Sequence, residues 1–489
     1  MTHHFDLFSY HIHILSSMAD TIVLYPSPGI GHLISMVELG KLLLKHRPSF
    51  SITIFITTAP YTTGVTAPYI NHVASTTSSI TFHQLSTVEL PPTSAAIPFE
   101  ELLFEIPRLN NPYLHKALQN ISQKSNLLAF FIDFFCNAAF EVSSKLGIPT
   151  YYFYTSGASA LCVFLHIPTL HETITKNIKD VHDYIKIPGT PPIYSQDLPK
   201  VLFDRESRIY KLFLETAVQM GKSSGILVNS FEALESRAVK ALSDGLCIPN
   251  APTPPVHCIG PLIASKDNGS NNDEHECLSW LNLQPSKSVV FLCFGSMGSF
   301  TAEQLQEMAA GLENSGHRFL WVVRNPPTDD ETKGNSAPAE PDLDALLPEG
   351  FLERTKDKGL VVKSWAPQLE VLNHDSIGGM VTHCGWNSAL EAICAGVPML
   401  AWPLYAEQRM NKVFMVEELK VALGLAESTN GFVTVAELDK QVRELMDSDN
   451  GKAVKDQVTV MRNCAKAAIQ DDGSSCVALE KLIESWAKG

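Results

Sequence analysis

The sequence predicts an α/β protein made of two doubly wound, mostly parallel sheets, and three observations carry that prediction. At 489 residues the chain exceeds what one hydrophobic core ordinarily organises, so two domains of about 200 to 250 residues are expected. A strand, glycine-loop, helix order appears near the start in TIVLYPSPGIGHLISMVELGKLLLKH and returns in SVVFLCFGSMGSFTAEQLQEMAAGLENSG. Both halves then alternate short apolar runs with helical patterns, the rhythm of parallel strands covered by helices.

In the first unit Leu33, Val37, Leu39 and Leu43 recur near helical spacing behind a Pro/Gly loop. The runs FSITIFITT, LLAFFIDFF, PTYYFYTSG and GILVNS continue the strands of that domain. The Pro-rich PNAPTPPVHCIGPL marks a boundary, which assigns residues 18–256 to the first domain and 257–473 to the second. In the second unit Thr301 and Gln304 form a capping-box pattern at a helix start. RFLWVV, LVVKSW, GGMVTHCG and PMLAWP then alternate with helical stretches such as NSALEAICAG. A last helix at about 474–489 is expected to pack back on the first domain. The polar stretches SKDNGSNNDEHE and NPPTDDETKGNSAPAEPDLD carry too little apolar surface to pack and read as surface loops. Residues 1–17 lack a basic n-region and a cleavage site and read as an extension without fold content.

Composition narrows the function. A formal charge of −15 argues against a nucleic-acid partner, which requires concentrated Lys and Arg. Ten cysteines without a CxxC or a Cys/His ladder point to reduced thiols in a cytoplasmic protein. Every apolar run is strand-sized, so no membrane partner is expected. No convincing metal-ligand cluster is read from the sequence, and the expectation is no metal and no bound cofactor.

Ligands of such sheets sit at the carboxyl ends of the strands, and the stretch Trp365–Gln408 concentrates suitable groups there. Trp365 follows directly on LVVKSW, where its indole can stack on a planar base or belong to the core. His383, Gly385, Asn387 and Ser388 lie between GGMVT and the helix NSALEAICAG, and a helix N-terminus suits a diphosphate. The alternative makes Asn387 or Ser388 a plain helix cap. Glu391 stands three residues after Ser388, a capping-box spacing that competes with a ligand role. Ser296 in FGSMGS occupies a glycine-rich turn that can reach a diphosphate or merely link strand to helix. In the first half, PSPGIGHL delivers His32 to the mouth of a strand–helix unit, and FFIDFFC places the carboxylate of Asp133 in an aromatic run, costly unless paired.

From Trp365 to Gln408 the chain resembles, almost position for position, the signature box of plant UDP-dependent secondary-product glycosyltransferases, inverting enzymes of glycosyltransferase family 1. PSPGIGHL, FIDFFC, TYYFYTSG and FLCFGSMGS extend the resemblance from about Met18 onward, towards the branch that glucosylates flavonoids, chalcones, dihydrochalcones and isoflavones. The resemblance implies the GT-B fold, two Rossmann-like domains facing across a cleft. It implies that Trp365 stacks on uracil, that Ala366 and Gln368 meet the base or ribose, and that Glu391 accepts from both ribose hydroxyls. His383, Asn387 and Ser388 are implied on the phosphates, with Trp386, Glu407, Gln408 and Thr155 on the sugar. A terminal glutamine is the pattern for glucose donors, and the absence of arginine at Trp386 favours glucose over glucuronic acid. His32 becomes the general base and Asp133 its partner, with UDP-glucose as donor co-substrate and a small phenol as acceptor. Gly31, Phe134, Tyr154 and Tyr405 are expected to border that acceptor, and the protein is expected to act as a monomer. A nucleotide-sugar epimerase of similar fold and a catalytically silent UDP-sugar-binding protein are the alternatives.

Overall fold

The computed structural model describes residues 18–59, 66–88, 90, 97–264, 275–327, 340–428 and 430–486. The N-terminal extension and most of both polar stretches lie outside the described residues.

Seven parallel strands form the first sheet: β1 (Asp20–Tyr25), β2 (Ser51–Ile56), β3 (Ile80–Gln84), β4 (Asn126–Asp133), β5 (Thr150–Tyr154), β6 (Gly225–Val228) and β7 (Val256–Cys258). Their spatial order is β3-β2-β1-β4-β5-β6-β7. Six more form the second: β8 (Val289–Cys293), β9 (Arg318–Val323), β10 (Gly359–Lys363), β11 (Ile377–Thr382), β12 (Met399–Ala401) and β13 (Ala422–Gly424). They run in the order β10-β9-β8-β11-β12-β13. Each sheet reverses its strand order once, between β1 and β4 and between β8 and β11. The crevice at such a reversal is where open α/β sheets bind ligands.

The apolar runs are continuous because both faces of each sheet are covered. Ile22, Leu24, Ile52, Ile54, Phe131 and Phe153 pack on one face of the first sheet, and Val23, Tyr25, Phe130, Ile132 and Tyr152 on the other. The helix Ile30–His46 buries Leu33, Val37, Leu39 and Leu43 against the first of these faces. The final helix, Ser474–Trp486, returns to the same face with Leu479, Leu482 and Ile483. Trp486 Nε1 donates to the Tyr151 hydroxyl at 3.0 Å, and Glu480 receives His46 at 2.7 Å and Arg47 at 2.8 Å.

Two local expectations need amending. The boundary drawn after residue 256 cuts β7, which pairs with β6 through Cys258. The Asn229 side chain then clamps the outgoing chain, accepting from the Leu262 amide at 2.7 Å and donating to its carbonyl at 3.1 Å. Thr301 does cap its helix, accepting from the Gln304 amide at 3.2 Å, but Gln304 does not return the bond. Its side chain binds both backbone groups of Val433 instead, at 2.8 and 2.9 Å, so tertiary contact overrides half of the box.

Candidate active site in the interdomain cleft

The first reversal point brings His32 and Asp133 together. His32 stands in the first turn of the helix that follows β1, and Asp133 is the last residue of β4. Nδ1 of His32 meets Oδ2 of Asp133 at 2.8 Å, with the carboxylate 1% exposed and the imidazole 32%. The other carboxylate oxygen accepts from Ser27 Oγ at 2.5 Å and from the Phe135 amide at 3.2 Å. Three donors thus offset the cost of burying this charge. Burial pushes the Asp133 pKa up, but the His32 charge and hydrogen bond, with Ser27 and the Phe135 amide, outweigh it and hold the group below its usual range. For His32, burial pulls the pKa down, and the charge and hydrogen bond of Asp133, aided by Glu407, raise it above the ordinary value. Nδ1 is therefore committed to Asp133, and Nε2 is the ring nitrogen left to exchange a proton.

The second reversal point gathers the groups of the Trp365–Gln408 stretch. Trp365 is 57% exposed, which removes the core reading; its indole meets His275 edge to face at 5.7 Å. Ala366 is buried just behind it. Gln368 Nε2 donates to Ser388 Oγ at 3.0 Å and to Glu391 Oε2 at 2.6 Å, uniting three residues that the sequence scatters. Glu391 therefore does not cap its own helix. That helix, Trp386–Ala395, starts from Gly385 with no side-chain cap, so neither Asn387 nor Ser388 serves as one and its first amides face the cleft uncapped. Burial pushes the Glu391 carboxyl up, partly countered by Gln368.

His383 is buried beside this helix, and burial followed by the Arg324 cation pulls its pKa down to about 4, so it is neutral at ordinary pH. Its Nδ1 is buried without a partner among the described residues. Gly295, at φ 72°, passes so close that a Cβ there would lie 2.6 Å from His383 Nε2; only glycine allows this approach and leaves Ser296 exposed at the turn. Gln408 is buried, and its side-chain oxygen accepts from the amides of Leu404 and Tyr405, both at 2.9 Å, which leaves its NH₂ as the available donor.

The two halves meet at Ser156, whose hydroxyl donates to Glu407 at 3.3 Å immediately after Thr155 and β5. Trp386 makes another such contact: its indole N–H donates to the Asn229 carbonyl at 2.7 Å and the ring is 3% exposed. The indole N–H of Trp386 is thus engaged in the seam, which leaves its backbone amide as the polar group through which the expected sugar contact can be made. Gly157 makes room for the ring, since a Cβ would stand 2.8 Å from the indole and 2.8 Å from Glu235.

The acceptor side also needs correction. β4 ends at Asp133, which caps a 3₁₀ turn over Phe134–Cys136, so strand alternation does not apply to these rings. Phe134 and Tyr154 sink into an aromatic core with Phe104, Phe164 and Phe213. Phe135, which the sequence reading did not choose, stands 5.8 Å from the His32 ring at the cleft wall. Tyr405 lies 6.3 Å from His383, in the loop of the second domain that also carries Glu407. Gly31 is exposed with open space before it.

Several positioning groups were not anticipated. Ser27 lies in the quoted PSPG loop, yet nothing in its spacing links it to Asp133. Glu235 accepts from the amides of Ala158 at 2.7 Å and Ser159 at 2.8 Å, capping the helix Ala158–Thr173 from outside. Arg324, at the end of β9, donates from Nε to the Ser364 carbonyl at 2.9 Å and from Nη1 to the Gly295 carbonyl.

Comparison with known proteins agrees with this arrangement. Residues 249–463 match the family model described as UDP-glucoronosyl and UDP-glucosyl transferase. An anthocyanidin 5,3-O-glucosyltransferase of a Rosa hybrid cultivar is 54% identical over 479 residues, covering 96% of this chain and 99% of that protein. A baicalein 7-O-glucuronosyltransferase of Scutellaria baicalensis is 50% identical over 450 residues, covering 92% and 99%. The structure of Phytolacca americana UGT2 complexed with UDP-2fluoro-glucose and pterostilbene superposes with a TM-score of 0.84 at 39% identity, covering 96% of this chain and 100% of that one. With its two facing α/β sheets of GT-B architecture, the chain belongs to the plant UDP-glycosyltransferases, transferases of glycosyltransferase family 1.

Proposed function

We propose that the protein is an inverting glucosyltransferase that moves glucose from UDP-glucose to a hydroxyl of a flavonoid-like phenol. The observation that carries this reading is the His32–Asp133 pair at 2.8 Å at one strand-reversal point, together with the uncapped start of the helix Trp386–Ala395 at the other. In the reaction His32 Nε2 takes the proton of the acceptor hydroxyl as its oxygen attacks the anomeric carbon. The bond from that carbon to the β-phosphate oxygen breaks, and UDP departs with the electron pair. Attack opposite the leaving group turns an α-linked donor into a β-linked product. Asp133 fixes the Nδ1–H tautomer and stabilises the imidazolium that forms.

On the donor side, Trp365 stacks on uracil, and Gln368 and Glu391 hold the ribose. Ser296, His383, Asn387 and Ser388, with the helix amides, receive the diphosphate. Neutral His383 serves there as a hydrogen-bonding group. Glu407 and the Gln408 NH₂ meet the sugar hydroxyls, with Thr155 closing from the first domain. The named relatives act with glucose and with glucuronic acid, so likeness alone does not choose the donor. Glucose is favoured because the side chain at position 386 is an indole held in the seam, offering no cation to a sugar carboxylate. Phe135 and the open surface at Gly31 suit a flat aromatic acceptor, in keeping with the anthocyanidin, baicalein and pterostilbene named for the relatives. The chemistry needs no metal, and the ten free cysteines accord with a reducing cytoplasm.

The test is product mass spectrometry with UDP-glucose and UDP-glucuronic acid in parallel against a phenol panel. A hexose-shifted product is expected from UDP-glucose, with turnover about 100- to 10,000-fold lower in His32→Ala. Undiminished turnover in that variant would remove His32 as the base, and preference for UDP-glucuronic acid would overturn the donor.

A further inference from the structure

The side chains assigned above to the diphosphate are all uncharged: Ser296, Asn387 and Ser388 by nature, and His383 because of its surroundings. A leaving UDP carries at least two negative charges, and in a partly dry cleft fixed positive charge stabilises it far more than neutral donors do. Arg324 is the cation that the fold brings to this place. It sits at the carboxyl end of β9, next to the reversal point, partly buried and directed across the sheet mouth. Nη1 binds the carbonyl of Gly295, whose backbone abuts the His383 ring and precedes Ser296. Nε binds the carbonyl of Ser364, which stands at φ 62° immediately before Trp365. One guanidinium thus ties the turn before the diphosphate site to the loop that presents the base-stacking indole.

Its charge is unanswered. Both bonds go to neutral carbonyls, and the ionisable groups that act on it are the Cys293 thiol and the Tyr405 phenol, each pushed by burial towards its neutral form. Among the described residues no carboxylate forms an ion pair with it. Elsewhere the fold pairs half-buried arginines with carboxylates, as Arg409 with Glu427 at 2.7 Å. A desolvated guanidinium without a counter-ion, at the end of a sheet that binds nucleotides, is arranged to receive an anion.

We propose that Arg324 is the resident cation of the diphosphate subsite, holding the Gly295–Ser296 turn in place and stabilising the negative charge of bound and departing UDP. The inference rests on the UDP-sugar reading above. It separates two roles that one substitution would otherwise blur: a charge felt only by phosphate, and a tie felt equally by the base-binding loop.

The experiment compares the affinities of UDP and uridine, by calorimetry or competitive inhibition, in the wild type, Arg324→Gln and Arg324→Lys. With Arg324→Gln, UDP is expected to bind about 10- to 100-fold more weakly, the effect of losing a charged hydrogen-bonding partner, while uridine binding is unchanged. Arg324→Lys, which keeps the charge but not the planar fork, should recover part of the preference for UDP over uridine. Equal losses for UDP and uridine would reduce Arg324 to a structural tie and overturn the proposal, as would unchanged UDP binding. If Arg324→Gln fails to fold, the lysine variant decides by its two affinities taken separately: uridine binding unchanged, with UDP weakened at most modestly, supports the charge, whereas equal losses of UDP and uridine mark a structural tie and overturn the proposal. A wild-type protein that binds uridine no more weakly than UDP would overturn the proposal without any variant. Absence of UDP binding in the wild type would instead sink the underlying donor reading.

Discussion

Replacing Asp133 by asparagine is the sharpest test of the proton-transfer geometry, because the surrounding bonds dictate how the amide must sit. In the native site Oδ1 accepts from Ser27 Oγ at 2.5 Å and from the Phe135 amide at 3.2 Å. Asparagine can satisfy these two donors only with its carbonyl oxygen in that place, which turns its NH₂ towards His32 Nδ1, 2.8 Å away. Nδ1 must then accept instead of donate. The ring proton moves to Nε2, and the nitrogen facing the acceptor can no longer take a proton. Loss of a positioned general base costs about 100- to 10,000-fold, and forcing the wrong tautomer in an analogous triad costs about 10,000-fold. We therefore expect kcat of Asp133→Asn to fall by about 1,000- to 10,000-fold. The KM for UDP-glucose should stay near its wild-type value, since Asp133 touches no donor group. The assay is steady-state product formation with a phenol, repeated as pH is raised. The deficit should shrink as pH approaches the phenol pKa near 10, where the phenolate needs no base. Wild-type kcat in Asp133→Asn, or a deficit that persists once the acceptor is ionised, would refute the tautomer argument.

Two further outcomes follow from the same geometry. Trp365→Ala should weaken UDP by about 1 to 3 kcal/mol, a five- to 150-fold loss. It should barely move the melting temperature, because the indole is already 57% exposed, and titration with UDP alongside a thermal scan checks both. The pH profile of kcat/KM should show an acidic limb above pH 6.5: the working base is neutral His32, whose pKa is raised, so activity appears as pH rises through that value. A limb below 6.5 would mean that burial outweighs Asp133 and Glu407 in the free enzyme.

The sequence made much of this site legible because the chemistry clusters where chain continuity and spatial proximity agree. Strand, glycine loop and helix adjoin in sequence, so the helix start that follows β11 and the placement of His32 after β1 could be read directly. The box from Trp365 to Gln408 brought the candidate donor residues together in one segment. What stayed hidden depends on pairs distant along the chain or on where a strand stops. Glu235 caps a helix that begins 77 residues earlier, and nothing local announces it. Phe135 and Phe134 exchange places because β4 gives way to a 3₁₀ turn at Asp133, where period-two alternation no longer assigns faces. Arg324 simply follows a strand in the sequence, and its two carbonyl partners, Gly295 and Ser364, lie 29 and 40 residues away along the chain.

The indole of Trp386 has a consequence for anyone recombining this protein with its relatives. Its ring belongs to the second domain, while the carbonyl it serves and the Gly157 notch it fills belong to the first. The halves are thus not independent modules: a chimera joined after β7 inherits the lock from one parent and the key from the other. A grafted box with arginine at this position would present a longer, charged side chain to a notch shaped for a flat ring, beside the buried carboxylate of Glu235. If that arginine turned outward, the Asn229 carbonyl would lose its donor, at a cost of about 1 to 3 kcal/mol. The fit of this seam is therefore inherited as a set, and compatible parents are those matched at positions 157, 229 and 386.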